Sequence, residues 1–221
     1  HPFHIMLHSG SCNIDQVRAW VINRFYYQSR IPMKDAAFLS RVSDHKLRRI
    51  WRRRIEDHDG TKDGEGGIER WLKLASGVGL DPQFVISTKG VLPATRFAVD
   101  AYVRFVREQP LLSAVASSLT EIFASKIHKD RIAGLLEHYD FANKDTLSYF
   151  RHRLSEAPKD VDFGLQWVLE NAKTETDQNA AVNALKFKTE VLWAQLDALH
   201  SAYVIENNVP PGCWQPTEGL L

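Results

Sequence analysis

Arg24 and Gln28 stand four residues apart, in register with the apolar Val17 and Val21. Arg54 and His58 repeat that spacing and continue the stripe of Leu47, Ile50 and Trp51. His128 and Arg131 are three apart, beside Ile127 and Ile132. Tyr149 and Arg153 are again four apart, flanking Phe150 and Leu154, and Lys188 lies between Leu185 and Leu192. Residues three or four apart share a helix face, so each pair aims two polar heads in one direction. A buried, unpaired charge costs several kcal/mol, which makes inward arginines and a lysine intolerable in a dry core. Around a ligand with several negative charges they become reasonable, because a guanidinium grips a carboxylate through two parallel bonds. The histidines and Tyr149 add groups able to move protons near neutral pH.

Each feature also has a plainer reading. A single arginine at a stripe edge commonly snorkels, its stem packed and its head in water. The run RRIWRRR at 48–54 reads as a solvated basic helix face in which only Arg54 is phased with His58. His58 also suits the C-terminal end of a helix dipole. Lys188 is harder to set aside, since apolar residues flank it at both helical spacings.

The elements that must carry these residues are helices. Apolar positions recur with a period near 3.6 along nearly the whole chain. Asn13 with Gln16 offers a capping box for a helix over 14–29. Pro32 is expected to open a separate short helix, and Ser43 or Asp44 to cap a third, which Gly60 stops. A fourth is expected over about 68–76, followed by an irregular stretch over 77–93. Helices are then read over 94–108, 111–139 and 146–156, and over 159–172 after a break at Pro158. The longest covers about 175–206, and the proline-rich tail is a strap or frayed end. With no alternating run to seed a sheet, the expected architecture is all-α: one domain over 1–221, a compact bundle of about seven helices.

Charge and composition narrow the function. Lysine and arginine total 28 against 27 acids, a net charge of +1, so no global field draws the chain to nucleic acid or to a lipid surface. No apolar run approaches the length of a membrane span. Cys12 and Cys213 lie near opposite ends without CxxC spacing, which fits a reducing compartment and a cytoplasmic protein. The sequence begins at His1, not methionine, so the natural start is expected upstream. Asp197–His200 is a lone DxxH, and Asp57–Asp59 lacks partners at metal-ligand spacing, so no metal site is expected. The glycines of DGEGGIE match no phosphate loop, and there is no GxSxG.

Longer strings are more specific. NRFYYQ at 23–28, IPMKDAA at 31–37, DHDG at 57–60 and GGIERW at 66–71 are followed by LPATRFAVDAY at 92–102 and SSLTEIFASKIHKDRI at 117–132. YFRHRLSEAPKDV at 149–161 and LKFKTEVLWAQLDA at 185–198 complete the series. Together, and in order along the chain, they resemble the pyrroloquinoline-quinone synthases. The resemblance implies a seven-helix, haem oxygenase-like fold and a homodimer. It implies an oxidase without metal or organic cofactor, which closes a ring in a ring-open quinoline polycarboxylate and removes eight electrons. Molecular oxygen is the acceptor and hydrogen peroxide a product.

Carried over position by position, the resemblance puts Arg24, Gln28, Lys34, Arg54, Tyr102, Thr120, Glu121 and Arg131 around the substrate. It makes His58 the general base and groups His128, Tyr149 and Arg153 at the oxygen site, with Lys188 as a further catalytic group of the pocket. A Tyr-His pair of the family's pocket falls just upstream of His1. The rival reading is a non-catalytic carrier of the quinone or its precursor, for which binding arginines alone would serve.

Overall fold

The computed structural model describes residues 1–206 and 208–216, and the side chains of these apart from 157–161. Among the described residues there are ten α-helices and no strand: α1 (Pro2–His8), α2 (Ile14–Leu39), α3 (His45–Asp59), α4 (Gly66–Gly77), α5 (Pro82–Ser87), α6 (Pro93–Glu108), α7 (Leu111–Ala116), α8 (Ala124–His138), α9 (Ser148–Asn171) and α10 (Glu175–His200). A 3₁₀ segment, Ser117–Phe123, joins α7 to α8, and a π turn, Ser201–Ile205, extends α10. The all-α class is as expected. Seven helices have twelve residues or more; the other three, α1, α5 and α7, are short connectors of six or seven.

Several boundaries follow local chemistry. The Asn13–Gln16 box opens α2, with Gln16 N–H on Asn13 Oδ1 at 2.8 Å and Asn13 N–H on Gln16 Oε1 at 3.0 Å. Asp44 caps α3 through the Lys46 N–H, and a Thr174–Asp177 box opens α10. Gly60 ends α3 at φ 81°. Gly66 (φ 90°) starts α4 so close to the end of α3 that a Cβ would fall 2.6 Å from the His58 carbonyl oxygen and 2.4 Å from the Gly60 nitrogen. The double glycine of GGIERW thus seats α4 directly against His58.

Two expected breaks do not occur. Pro32 lies inside a continuous α2, and α9 runs through Pro158. An internal proline removes one backbone hydrogen bond and strains the preceding turn, but Phe25, Ile31 and Phe38 are buried on both sides of Pro32. Packing overrides the local preference there. Conversely, the single helix expected over 111–139 is interrupted. Ser117 and Ser118 turn their hydroxyls onto the Ala114 and Val115 carbonyls, each at 2.7 Å, and the backbone tightens into the 3₁₀ segment from that point.

α2 is the axis of the assembly, packed against α3, α4, α6 and α10, while α8 and α9 pair and α1 lies across α8 and α10. Trp20, Trp71, Tyr149 and Phe150 form an aromatic block between α2, α4 and α9, Trp71 edge-on to Tyr149 at 5.1 Å. Trp71 also donates its indole N–H to the Val21 carbonyl at 3.0 Å. The tail is a strap over the described part: Trp214 N–H bonds the Gly90 carbonyl and the Tyr203 hydroxyl bonds the Trp214 carbonyl; residues 217–221 lie outside the described residues. No helix is long and apolar enough to cross a membrane among the described residues. Cys12 and Cys213 are free thiols.

Candidate active site

A cavity of about 220 Å³ opens between α1, α2, α3, the 3₁₀ segment, α8, α9 and α10. Eight of the thirteen residues singled out in the sequence line it: Arg24, His58, Thr120, Glu121, His128, Arg131, Tyr149 and Arg153. Apolar lining comes from Leu7 and from Leu192, Leu196 and Leu199 of α10, with Gln195 among them. The RRIWRRR run divides as the plainer reading required: Arg48, Arg49, Arg52 and Arg53 are exposed, and Arg54 alone is buried.

The other five, Gln28, Lys34, Arg54, Tyr102 and Lys188, are buried behind the lining and do not belong to it. Gln28 accepts the Tyr149 hydroxyl at 2.9 Å and so fixes that phenol. Lys34 pairs with Asp35, and Arg54 approaches both Asp35 (3.9 Å) and Glu121 (3.8 Å). Lys188 Nζ lies 3.7 Å from the Tyr102 ring centre and donates to the Tyr27 hydroxyl oxygen at 2.7 Å. Lys188 therefore reaches the cavity only through Tyr27, which does line it.

Alternating charges run through this layer. His152 and Arg153 both bond Asp57, the latter Nη1 to Oδ2 at 2.7 Å. Arg153 Nη2 continues to Glu121 Oε2 at 2.9 Å, Glu121 to Arg54, Arg54 to Asp35, and Asp35 to Lys34. Burial alone would raise the Glu121 carboxyl, but Arg153 and Arg54 outweigh it and hold its pKa down to about 2. Trp51 donates its indole N–H to Asp35 at 2.8 Å.

Arg24 and Arg131 differ. Neither has a carboxylate partner within ion-pair distance among the described residues. Their guanidiniums lie over aromatic rings, Arg24 at 4.1 Å from Tyr27 and Arg131 at 5.5 Å from Trp20 and 5.4 Å from Phe150. Burial and the nearby Arg24 charge lower the Arg131 pKa to about 9.

Burial disfavours the charged form of both cavity histidines, His58 and His128. Burial and Arg131 bring His128 to a pKa of about 3, and its buried Nδ1 has no hydrogen-bond partner. Burial, then Arg153, lowers His58. His58 Nδ1 lies 3.0 Å from the Arg54 carbonyl. A carbonyl only accepts, so Nδ1 carries the hydrogen and Nε2 is left with a lone pair. Burial raises the Tyr149 phenol, against Arg153 and Arg24, so it keeps its proton.

Several residues escaped the sequence reading. His4 lines the cavity with its ring tilted against that of His8, centres 4.0 Å apart, and His8 accepts the Arg131 Nε–H at 3.2 Å. Their i, i+4 spacing in HPFHIMLH was the same signal used elsewhere. Burial and Arg131 lower His4 to about 4 and His8 to about 3. Tyr27, Asp35, Asp57 and the cavity-lining Gln195 gave no periodic signal of their own. Among the described residues no three His, Cys, Asp or Glu side chains gather as a metal site.

Comparison with known proteins places this geometry. Residues 1–198 match the TENA/THI-4/PQQC family. The chain is 67% identical over its whole length to the pyrroloquinoline-quinone synthase of Rhizobium meliloti (strain 1021), covering 86% of it. It is 66% identical to that of Ruegeria pomeroyi, again over all of this chain and 91% of the relative. A domain of unknown function with a heme oxygenase-like fold from Shewanella denitrificans superimposes with a TM-score of 0.75 at 15% identity, over 97% of this chain and 90% of that one. The fold is haem oxygenase-like, and the chain belongs to the TENA/THI-4/PQQC family, within it to the pyrroloquinoline-quinone synthases.

Proposed function

We propose that this chain is an oxidase of pyrroloquinoline quinone biosynthesis that closes a ring in a ring-open quinoline polycarboxylate and oxidises it by eight electrons, with O2 as acceptor and H2O2 released. One observation carries the reading: among the described residues two cavity guanidiniums, Arg24 and Arg131, have no acid within ion-pair distance, while Lys34, Arg54 and Arg153 of the same layer do. Carboxylates of the substrate supply the missing charges, and two-point binding to each guanidinium fixes the ring plane. The apolar face of α10 covers the rest of that plane.

With the substrate held, His58 Nε2 accepts a proton from substrate carbon. The imidazolium that results is stabilised by Asp57, whose Oδ2 lies 3.8 Å from Nδ1. The substrate carbanion is then electron-rich enough to reduce oxygen, so the electron source is the ligand itself. Each two-electron step passes two electrons and two protons to O2, giving H2O2. Arg153 and the neutral Tyr149 donate to the developing negative charge on reduced oxygen. Tyr149 is held for that purpose by Gln28, and Arg153 by Asp57 and Glu121. Soluble cytoplasmic operation and a homodimeric state belong to the same proposal.

The test is aerobic turnover of the ring-open precursor, following quinone absorbance and peroxide together. Wild type is expected to produce both, and His58→Ala to bind precursor normally while turning over about 10²–10⁴-fold more slowly, the usual contribution of a positioned base. A wild type that binds precursor without converting it is a carrier, and the oxidase reading fails.

A further inference from the structure

Lys188 is only 1% exposed and sits in the middle of α10. Its Nζ lies between two phenol rings, 4.2 Å from the centre of Tyr27 and 3.7 Å from that of Tyr102. No carboxylate is within ion-pair distance of it among the described residues. The charged and titratable groups facing it are Arg24, Tyr27, Lys34 and Asp35 on α2, Tyr102 on α6 and Glu121 on the 3₁₀ segment. Both acids are already engaged, Asp35 by Lys34 and Glu121 by Arg153. Arg24 lies on the same Tyr27 ring. Burial, with cations near and both neighbouring acids engaged, disfavours the ammonium form of such an amine; burial and then Arg24 lower its pKa well below the ordinary lysine value.

Tyr27 connects this amine to the cavity. The two meet at 2.7 Å, and an ammonium can only donate across that contact, so once Lys188 is protonated the Tyr27 O–H hydrogen is left for a group in the cavity that it lines. A ligand carrying several carboxylates would reverse the local balance by adding anions next to Arg24. We propose that Lys188 takes up one proton from solvent when a polycarboxylate fills the cavity, and that the resulting ammonium acts on the ligand through the Tyr27 hydroxyl. The balance is a neutral amine plus one proton giving an ammonium, with no electron transferred. Lys188 is then a positioning residue, and Tyr27 is the group that touches the ligand. The inference rests on the reading of the cavity as a polycarboxylate site.

The experiment is calorimetric titration of pyrroloquinoline quinone into the whole chain, in buffers of different ionisation enthalpy, with wild type and Lys188→Met compared. Wild type is expected to take up about one proton more per ligand than the variant. Taking the difference cancels protons gained by the ligand or by the cavity histidines. Equal uptake by the two proteins overturns the inference and leaves the functional reading intact. Failure of wild type to bind the quinone overturns both. Should Lys188→Met not fold, Tyr27→Phe carries the test: kcat for the precursor is expected to fall at least about tenfold with KM within about twofold. An unchanged kcat in Tyr27→Phe overturns the assignment.

Discussion

Two pairs of arginines meet at one cavity and do different work. Arg54 and Arg153 are threaded into a line of acids, Asp35, Glu121 and Asp57, that ties α2, α3, the 3₁₀ segment and α9 together. Arg24 and Arg131 have aromatic rings for company, Arg131 also His8, and among the described residues no acid within ion-pair distance. The first pair is satisfied by the protein and serves to hold the site's shape. The second pair is satisfied only when something anionic enters. Counting inward arginines does not separate these roles; counting their partners does.

Cutting the paired line gives the largest effect. Arg153→Ala removes the cation that Asp57 and Glu121 share, and breaking a buried pair from one side costs about 3–5 kcal/mol. Chemical denaturation is expected to show that loss. Adding Glu121→Gln should recover part of it, because one of the stranded charges is then removed. A single variant as stable as wild type would mean that the line contributes nothing to the fold.

Acid should weaken the whole layer next. His4, His8 and His128 have pKa values of about 4, 3 and 3 against an ordinary 6.5. Between pH 6.5 and about 4 the unfolded chain binds their protons and the native chain does not, so stability falls as pH falls. Glu121, held down to about 2, adds to the loss below its ordinary 4.5, where the unfolded state takes up a proton first. The melting temperature is expected to be several degrees lower at pH 5 than at pH 7, with a shallower slope in His128→Asn. A flat profile would show these histidines to be charged in the native state.

A smaller effect comes from the layer's neutral members. Gln28→Leu removes the acceptor of the buried Tyr149 hydroxyl and is expected to cost about 1–3 kcal/mol, with slower oxidation and little change in ligand affinity. Equal loss of affinity would place Gln28 on the ligand. Smallest of all should be the stability change in Arg131→Met, which keeps the stem over Trp20 and Phe150 and removes a charge that has no acid within ion-pair distance among the described residues. Its melting temperature is expected to match that of wild type.

The same contrast marks how far the sequence was legible. Helical phase found both kinds of arginine, because a charge on an apolar stripe is visible without knowing its partner. It did not find Asp57, which sits one residue before His58 and reaches sideways to α9, nor Asp35, which meets Trp51 and Arg54 of α3 besides its neighbour Lys34. Such partners are set by how helices meet, and a single helix's period does not contain that. The 3₁₀ segment that carries Thr120 and Glu121 was read as plain helix, although the adjacent Ser117 and Ser118 are residues whose hydroxyls compete for backbone carbonyls. A proline reads locally as a break; at Pro32 the buried Phe25, Ile31 and Phe38 carry the helix through it, and the α9 backbone likewise continues through Pro158. The long strings around Arg24, His58 and Tyr149 carry the family resemblance, and the glycines at 66 and 67 have a reason: at Gly66 a side chain would collide with the end of α3, and at Gly67 it would press on Tyr149 at 3.3 Å.

The most direct test of the account is equilibrium titration of pyrroloquinoline quinone into wild type and Arg131→Met at two salt concentrations. Wild type should bind, and the variant, equally stable, should bind about a hundredfold more weakly, the loss of roughly two charge-assisted hydrogen bonds. Its affinity should also depend less on salt. Equal affinity and equal salt dependence in the two proteins would show that the unpaired guanidinium does not wait for a ligand carboxylate, and the account's central claim would fall.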